Sequence, residues 1–480
     1  MIFVSTRKGI SATSAESVFQ GLAPDGGLYV PSFVEGDLSS RDISAWGLKE
    51  CEEYVMEKLF DDLPLSVRAD AVSRLLSRFP ESDPIPLVEA DGMEMLELFH
   101  GRTGAFKDVA LSMLPVYMRY SAGGKRVLIL TATSGDTGSA AMQGFAGVEG
   151  TEIIVFYPAT GTSRIQKLQM TTPADENVHA VAIKGNFDDA QSAVKRIFAS
   201  DEMAKVASVA GVTLSSANSI NTGRLIPQIA YYILACAKLG KSADVGVDVV
   251  VPSGNFGNIL AAYYAKKLGA PIAKLVVASN VNDVLARFVK TGVYDPGETF
   301  TVTNSPSMDI RKSSNVERLL WMINLGDERD ENGRPTASAI KEACDETARL
   351  MNDLNTLGRY ELNEKAKARL FADFTGGVAT PEETEGEMRR MREVAGYLLD
   401  PHTAVATKVA KDLGYPKDGR KVVIAATATP YKFAETCLRA FGEDVLTDPP
   451  KSFADLEKLP IAQTKVVEVD EIDAAVRELL

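Results

Sequence analysis

The 480-residue chain has only four cysteines, Cys51, Cys236, Cys344 and Cys437, and no two of them stand in a CxxC spacing. Scattered single thiols make neither a disulfide framework nor a zinc site, so they read as free thiols in a reducing compartment. Histidine is scarcer still. His100, His179 and His402 are the full complement, none lies in an HExxH pattern, and no metal centre is expected. Nowhere do apolar residues run for the roughly 18 positions that a membrane-spanning helix needs. The first ten residues, MIFVSTRKGI, carry early charges and no small-residue cleavage site, which leads to the expectation of a cytoplasmic protein. A formal net charge of −13 argues against nucleic acid or an anionic membrane as the main partner, while leaving room for a local basic pocket. Nucleotide loops are missing as well. Gly240-Lys241-Ser242 has Ala235 where a phosphate-binding loop needs its first glycine, and it follows the helical pattern YYILACAKL. No GxGxxG follows the early strands.

What is present is alternation. From about residue 85, short β-branched runs lead into Gly/Ser/Thr/Asn loops and then helical patterns: RVLILT into ATSGDTG, VDVVVPS into GNFGN, KVVIAA into TATPYKF. EIIVFYP, VHAVAIKG and KLVVASN read as further buried strands. Strands alternating with helices imply right-handed crossovers and an α/β fold with parallel sheets. Residues 1–85 have a different texture and read as an N-terminal cap domain with a turn at Asp25-Gly26-Gly27. Residues of about 305–400 are strongly charged and read as a helical insertion, interrupted at Pro335 and near Gly376-Gly377. The expected organisation is a large domain of 86–125 with 241–480, and a small mobile domain of 126–240.

One lysine is out of place. In HGRTGAFKDVALSML, Lys107 stands where a helix begins, with Thr103 as a possible N-cap, although the first turn of a helix favours acidic residues. Well downstream, PSGNFGN lies between a strand and a helix, where glycines let the backbone approach a ligand and successive N–H groups receive an anion. Asn255 and Asn258 add side-chain donors. TATSGDTGSAA repeats this arrangement with Ser134, Thr137 and two glycines. Either loop also reads as a plain strand-to-helix turn. Arg224 reads as a phosphate clamp or as a surface or capping arginine. His402 reads as a residue that orients a helix start, and the Tyr231-Tyr232 and Tyr263-Tyr264 pairs as core packing. An amine at a helix start and a remote phosphate cup match pyridoxal phosphate, whose aldehyde requires an amine and whose phosphate requires clustered N–H donors.

HGRTGAFKD, TATSGDTGSAA, SSANSINTGRLIPQ, PSGNFGN, SPSMDI and DPHTAV, with STRKG and GLAPDGGLYVP near the start, together resemble threonine synthases of the microbial and fungal branch. The resemblance runs from about residue 3 into the 430s. It implies a fold-type II pyridoxal-phosphate enzyme that turns O-phospho-L-homoserine and water into L-threonine and phosphate. It also implies that Lys107 is the Schiff-base lysine and that Gly254, Asn255, Phe256, Gly257 and Asn258 hold the cofactor phosphate. Thr427 would meet the pyridine nitrogen. Ser134, Asp136 and Thr137 would contact the substrate carboxylate and the O3′ side of the cofactor, and Arg224 the substrate phosphate. Asp136 stands where many relatives in the wider superfamily carry asparagine. Arg102 replaces the usual proline after HG, and Thr429 the usual histidine two residues beyond the threonine. A small-molecule substrate and a monomer or homodimer are expected, without nucleic-acid or membrane partners. Two alternatives stay open: a related β-replacement enzyme or amino-acid dehydratase, and a catalytically silent homologue that binds phosphorylated ligands.

Overall fold

Runs rich in valine, isoleucine and leucine with no polar alternation can be strands only where both sheet faces are covered. Both main sheets of the computed structural model, which describes residues 1–79, 81–198 and 200–480, are of this kind. The larger has the order Phe374–Val378, Ile272–Ser279, Val247–Pro252, Lys421–Ala426, Met93–Glu97, Leu87–Ala90. It is parallel except for the hairpin of its last two strands. The smaller has the order Val466–Val467, Val178–Ile183, Thr151–Pro158, Arg126–Ala132, Val212–Ser216 and is parallel throughout. The loops that carry chemistry leave the carboxyl ends of Arg126–Ala132, Val247–Pro252 and Lys421–Ala426, the usual place for a ligand in parallel α/β sheets.

Ahead of the sheets, Phe3–Ser5 pairs antiparallel with Ser11–Ala12 and with Tyr29–Pro31. The helices Leu48–Leu59 and Leu65–Ser77 then pack on Gln228–Leu239 and Lys107–Ser121, joining the amino-terminal region to the main core. Thr6 and Arg7 of the STRKG motif fasten the same region to Glu317, with Arg7 forming a two-pronged ion pair at 2.9 and 3.0 Å. One member of this core is unusual. The Glu52 carboxylate is fully buried, and neither oxygen has a hydrogen-bond partner among the described residues.

Two features sharpen or correct the reading of the sequence. The interruption expected near Gly376-Gly377 is present, and it is a strand, Phe374–Val378, that contains both glycines. A side chain at Gly376 would meet the Val277 carbonyl oxygen at 2.9 Å, and one at Gly377 would meet Val409 at 2.7 Å. Here glycine answers to close packing, not to a helix break. The assignment of 241–480 to a single domain also stops short of the tail. Val466 and Val467 pair with Ala182 and Ile183 of the smaller sheet, while Ile472, Ala475 and Val476 pack into its core. The tail covers a strand edge that would otherwise stand unpaired.

Candidate active site

Lys107 is placed by two segments that the sequence keeps far apart. Phe106 donates its N–H to the Thr427 carbonyl (2.9 Å), Thr429 donates to the Gly104 carbonyl (3.0 Å), and Ala105 bridges to Ala428. The loop before the helix Lys107–Ser121 is thereby pinned along the residues that follow Lys421–Ala426, and Lys107 and Thr427 face one cavity. Thr103 is not the N-cap. Its N–H and hydroxyl both donate to the buried Asp108 carboxylate (2.9 and 2.7 Å), and the cap position, Phe106, makes no side-chain cap bond. Arg102 is exposed and turned to solvent.

The second wall is the GNFGN turn. Phe256 adopts a left-handed conformation (φ 63°) at the start of the helix Gly257–Lys267, whose first N–H groups have no acceptor within the helix. A Cβ at Gly254 would stand 2.4 Å from the Ser307 carbonyl oxygen, so glycine is required there. The turn is fastened from behind: Ser313 donates to the Gly254 carbonyl (2.8 Å), and Asn315 donates to the Asn255 carbonyl through its side chain (2.9 Å). Asn258 Oδ1 accepts hydrogen bonds from Tyr231 and Tyr232. Its Nδ2 is buried without a partner among the described residues. An orphaned donor beside the open end of a helix suits a phosphate monoester.

The third wall is the SGDTG loop. Gly135 (φ 148°) lies against Gln166, whose side chain leaves no room for a Cβ. Thr133, not Ser134, supplies the helix-end oxygen, accepting from the N–H groups of Gly135 and Gly138 at 2.9 Å each. The hydroxyls of Ser134 and Thr137 face the cavity. Arg224 closes the site. It is 2% exposed, donates to the Ala217 carbonyl (2.6 Å), and has a buried Nε without a partner; no carboxylate pairs with it among the described residues. Burial pushes its guanidinium down to about 10.

Every candidate residue therefore lines one cavity of about 280 Å³: Lys107, Ser134, Asp136, Thr137, Arg224, Gly254, Asn255, Phe256, Gly257, Asn258 and Thr427. Three neighbours escaped the sequence reading. Gln166 donates to Asp136 Oδ1 (2.8 Å), and the fully buried Lys432 pairs with the same oxygen (2.8 Å). Asp400 caps the helix Pro401–Asp412 and accepts from the Thr403 hydroxyl, which in turn accepts from the Thr427 N–H (3.3 Å). Their signals are ordinary ones, a polar residue in a helix and a lysine in a short turn, and only the assembled fold brings them to the cavity. His402 lines the cavity too, with Nδ1 against Asp400 (2.8 Å) and Nε2 accepting from the Ser307 N–H (3.2 Å), so it ties the Ser307 turn down over Gly254.

Electrostatics single out the amine. Burial lowers the proton affinity of Lys107 against the pull of Asp136, and the like charges of Lys432 and Arg224 lower it further. Burial is the largest of these causes. Burial by itself would push the Asp136 carboxyl up. Lys107 and Lys432 outweigh it and hold the group well below the usual carboxylate range.

Comparison with known proteins agrees with this geometry. Residues 82–352 match the family of pyridoxal-phosphate dependent enzymes, residues 2–64 the threonine synthase N terminus, and residues 403–478 the threonine synthase C-terminal region. The threonine synthase of Schizosaccharomyces pombe is 38% identical over 464 residues, covering 90% of this chain and 87% of the relative. The pyridoxal-phosphate-bound threonine synthase of Brucella melitensis superposes with a TM-score of 0.87 at 35% identity, covering 100% of this chain and 99% of that one. The yeast threonine synthase does so with 0.88 at 33% identity, covering 99% and 98%. An amine, a phosphate cup and an unpaired arginine around one cavity, in a chain matched along nearly its whole length, leave one assignment: the chain belongs to the threonine synthase family of pyridoxal-phosphate-dependent enzymes.

Proposed function

We propose that the chain converts O-phospho-L-homoserine and water into L-threonine and inorganic phosphate. The observation that carries this reading is Arg224, a buried guanidinium with no acidic partner, in the same cavity as the separate cup at 254–258. A cavity with two anion-receiving sets and a lysine suits a phosphorylated cofactor and a phosphorylated substrate together. A dehydratase acting on serine or threonine has no use for the second set.

When bound, pyridoxal phosphate supplies an aldehyde for an amine and a ring that withdraws electrons. Gly254, Asn255, Phe256, Gly257 and Asn258 would hold its phosphate, and the Thr427 hydroxyl would serve its ring nitrogen, a neutral partner that suits elimination and replacement. Lys107 is the amine that would hold the aldehyde, and its nitrogen would carry protons to and from the substrate carbon skeleton. Its lowered proton affinity favours the uncharged amine that a base requires. Ser134 and Thr137, at the start of the helix Asp136–Phe145, take the substrate carboxylate, and Arg224 takes the phosphate that departs from Cγ. The bond from Cγ to the phosphate oxygen breaks and phosphate leaves, one Cβ–H bond breaks as water oxygen bonds to Cβ, and a proton ends on Cγ.

The test is to purify the protein with its cofactor, supply O-phospho-L-homoserine, and measure phosphate and L-threonine. Equal amounts of both are expected, with none from Lys107→Ala. Ammonia release from serine or threonine, with phosphohomoserine untouched, would sink this reading in favour of a dehydratase.

A further inference from the structure

Asp136 is shared. Its Oδ2 lies 3.2 Å from Lys107 Nζ, and its Oδ1 lies 2.8 Å from Lys432 Nζ, with all three side chains almost or wholly removed from solvent. Lys432 is further held by the Thr103 carbonyl (2.8 Å), so its position does not depend on Asp136 alone. A buried carboxylate with a single ammonium neighbour locks that neighbour in the charged form, because losing the proton would strand an uncompensated charge out of water. With two ammonium neighbours the situation changes. Either lysine can lose its proton and leave a balanced pair behind, and the group better placed to do so is the one with fewer fixed hydrogen-bond acceptors. Lys107 has Asp136 alone, whereas Lys432 has Asp136 and the Thr103 carbonyl.

Resting on the function proposed above, we propose that Lys432 is a positioning residue for the chemistry at Lys107. Its buried ammonium satisfies Asp136 from the far side and so frees the nitrogen of Lys107 to stand without a proton. The other charged or titratable groups around Lys107 do not take this role. Arg224 is tied to the Ala217 carbonyl, Asp108 is occupied by Thr103, and His402 is held between Asp400 and the Ser307 N–H. Asp309 is engaged by Asn280, Asn282 and Thr303. The direction of the Lys107 shift is consistent with this, since Lys432 is among the groups that lower its proton affinity. The arrangement also accounts for an aspartate at 136: an asparagine there would remove the carboxylate that Lys432 contacts directly at 2.8 Å.

The experiment is a pH titration of the visible absorption of the cofactor-loaded protein, which reports the protonation of the nitrogen at Lys107 without any turnover. Lys432→Gln keeps a donor for the Thr103 carbonyl and removes only the charge. Its midpoint is expected to rise by one pH unit or more, a tenfold gain in proton affinity. Adding Asp136→Asn is expected to bring it back toward wild type, and Lys432→Arg, which restores the charge, to stay within about threefold of it. A folded, loaded Lys432→Gln protein with the wild-type midpoint overturns the proposal, as does an arginine variant displaced as far as the glutamine one. If the glutamine variant does not retain cofactor, the apoprotein decides. Capture of added pyridoxal phosphate by Lys107 at neutral pH, trapped with borohydride, should slow at least tenfold, and an unchanged rate overturns the proposal. These readouts are separate from phosphohomoserine turnover, so a wrong substrate would show as wild type releasing no phosphate while the titrations stand.

Discussion

Arg224 and Glu52 are both buried charged side chains without charged partners, and they lead to opposite expectations. Arg224 faces a cavity and waits for an anion. Arg224→Met is expected to raise the KM for O-phospho-L-homoserine roughly tenfold to a hundredfold, as the loss of charged hydrogen bonds of about 1.5–3 kcal/mol implies. Cofactor affinity should barely change, because the cup lies elsewhere. Glu52 is not among the residues that line the cavity of Arg224, and burial raises its carboxyl well above the ordinary range. In the window from its unfolded value up to that raised value, the folded protein holds a proton that the unfolded chain has released. The stabilisation is therefore complete at acidic pH and is lost as pH rises, by about 1.4 kcal/mol for each pH unit crossed. Glu52→Gln should remove this dependence. In denaturant melts at pH 5 and pH 8, its stability advantage over wild type should grow with pH, and parallel profiles would contradict the assignment. Lys107 stood out in the sequence because it broke a local rule about helix starts, and rules of that kind need no tertiary information. Lys432 and Gln166 broke no such rule. Their meaning lies in distant partners, Gln166 with Asp136 at a separation of 30 and Lys432 with the Thr103 carbonyl at a separation of 329.

Among the elements, those whose local pattern and burial agree were readable. RVLILT, VDVVVPS and KVVIAA are strands of covered parallel sheets, and each delivers its loop to the cavity. Thr103 was misread as an N-cap, and the break at Gly376-Gly377 was seen without its strand, for a common reason: threonine and glycine have several structural uses, and local sequence does not choose among them. The strand Phe374–Val378 offers the sharper test. Gly376→Val would drive a side chain against the Val277 carbonyl and the nearby Val289 and Ala286. Overpacking of this kind costs roughly 1–3 kcal/mol. Chemical denaturation should show that loss while the absorption of bound cofactor keeps its wild-type position, because the strand lies at the sheet edge away from Lys421–Ala426. A variant as stable as wild type would mean that the edge strand yields freely.

For the molecule as a whole, the notable connection is the tail that returns to the smaller sheet. Gln463 donates to the carbonyls of Pro173 and Val178 (3.0 and 3.1 Å) and accepts from the Ala180 N–H, and Val466–Val467 then completes the edge. A chain ending at residue 459 is expected to lose protection against hydrogen exchange in Thr151–Pro158 and Val178–Ile183 while the larger sheet keeps its own. Uniform protection across both sheets would show that the tail is dispensable. The tail also matters during synthesis. At about 5–20 residues per second, the strands encoded between 126 and 216 emerge well before residue 466. For that interval the nascent smaller sheet displays the edge of Val178–Ile183 bare to other chains, and the enzyme closes this exposure only when the translated tail arrives.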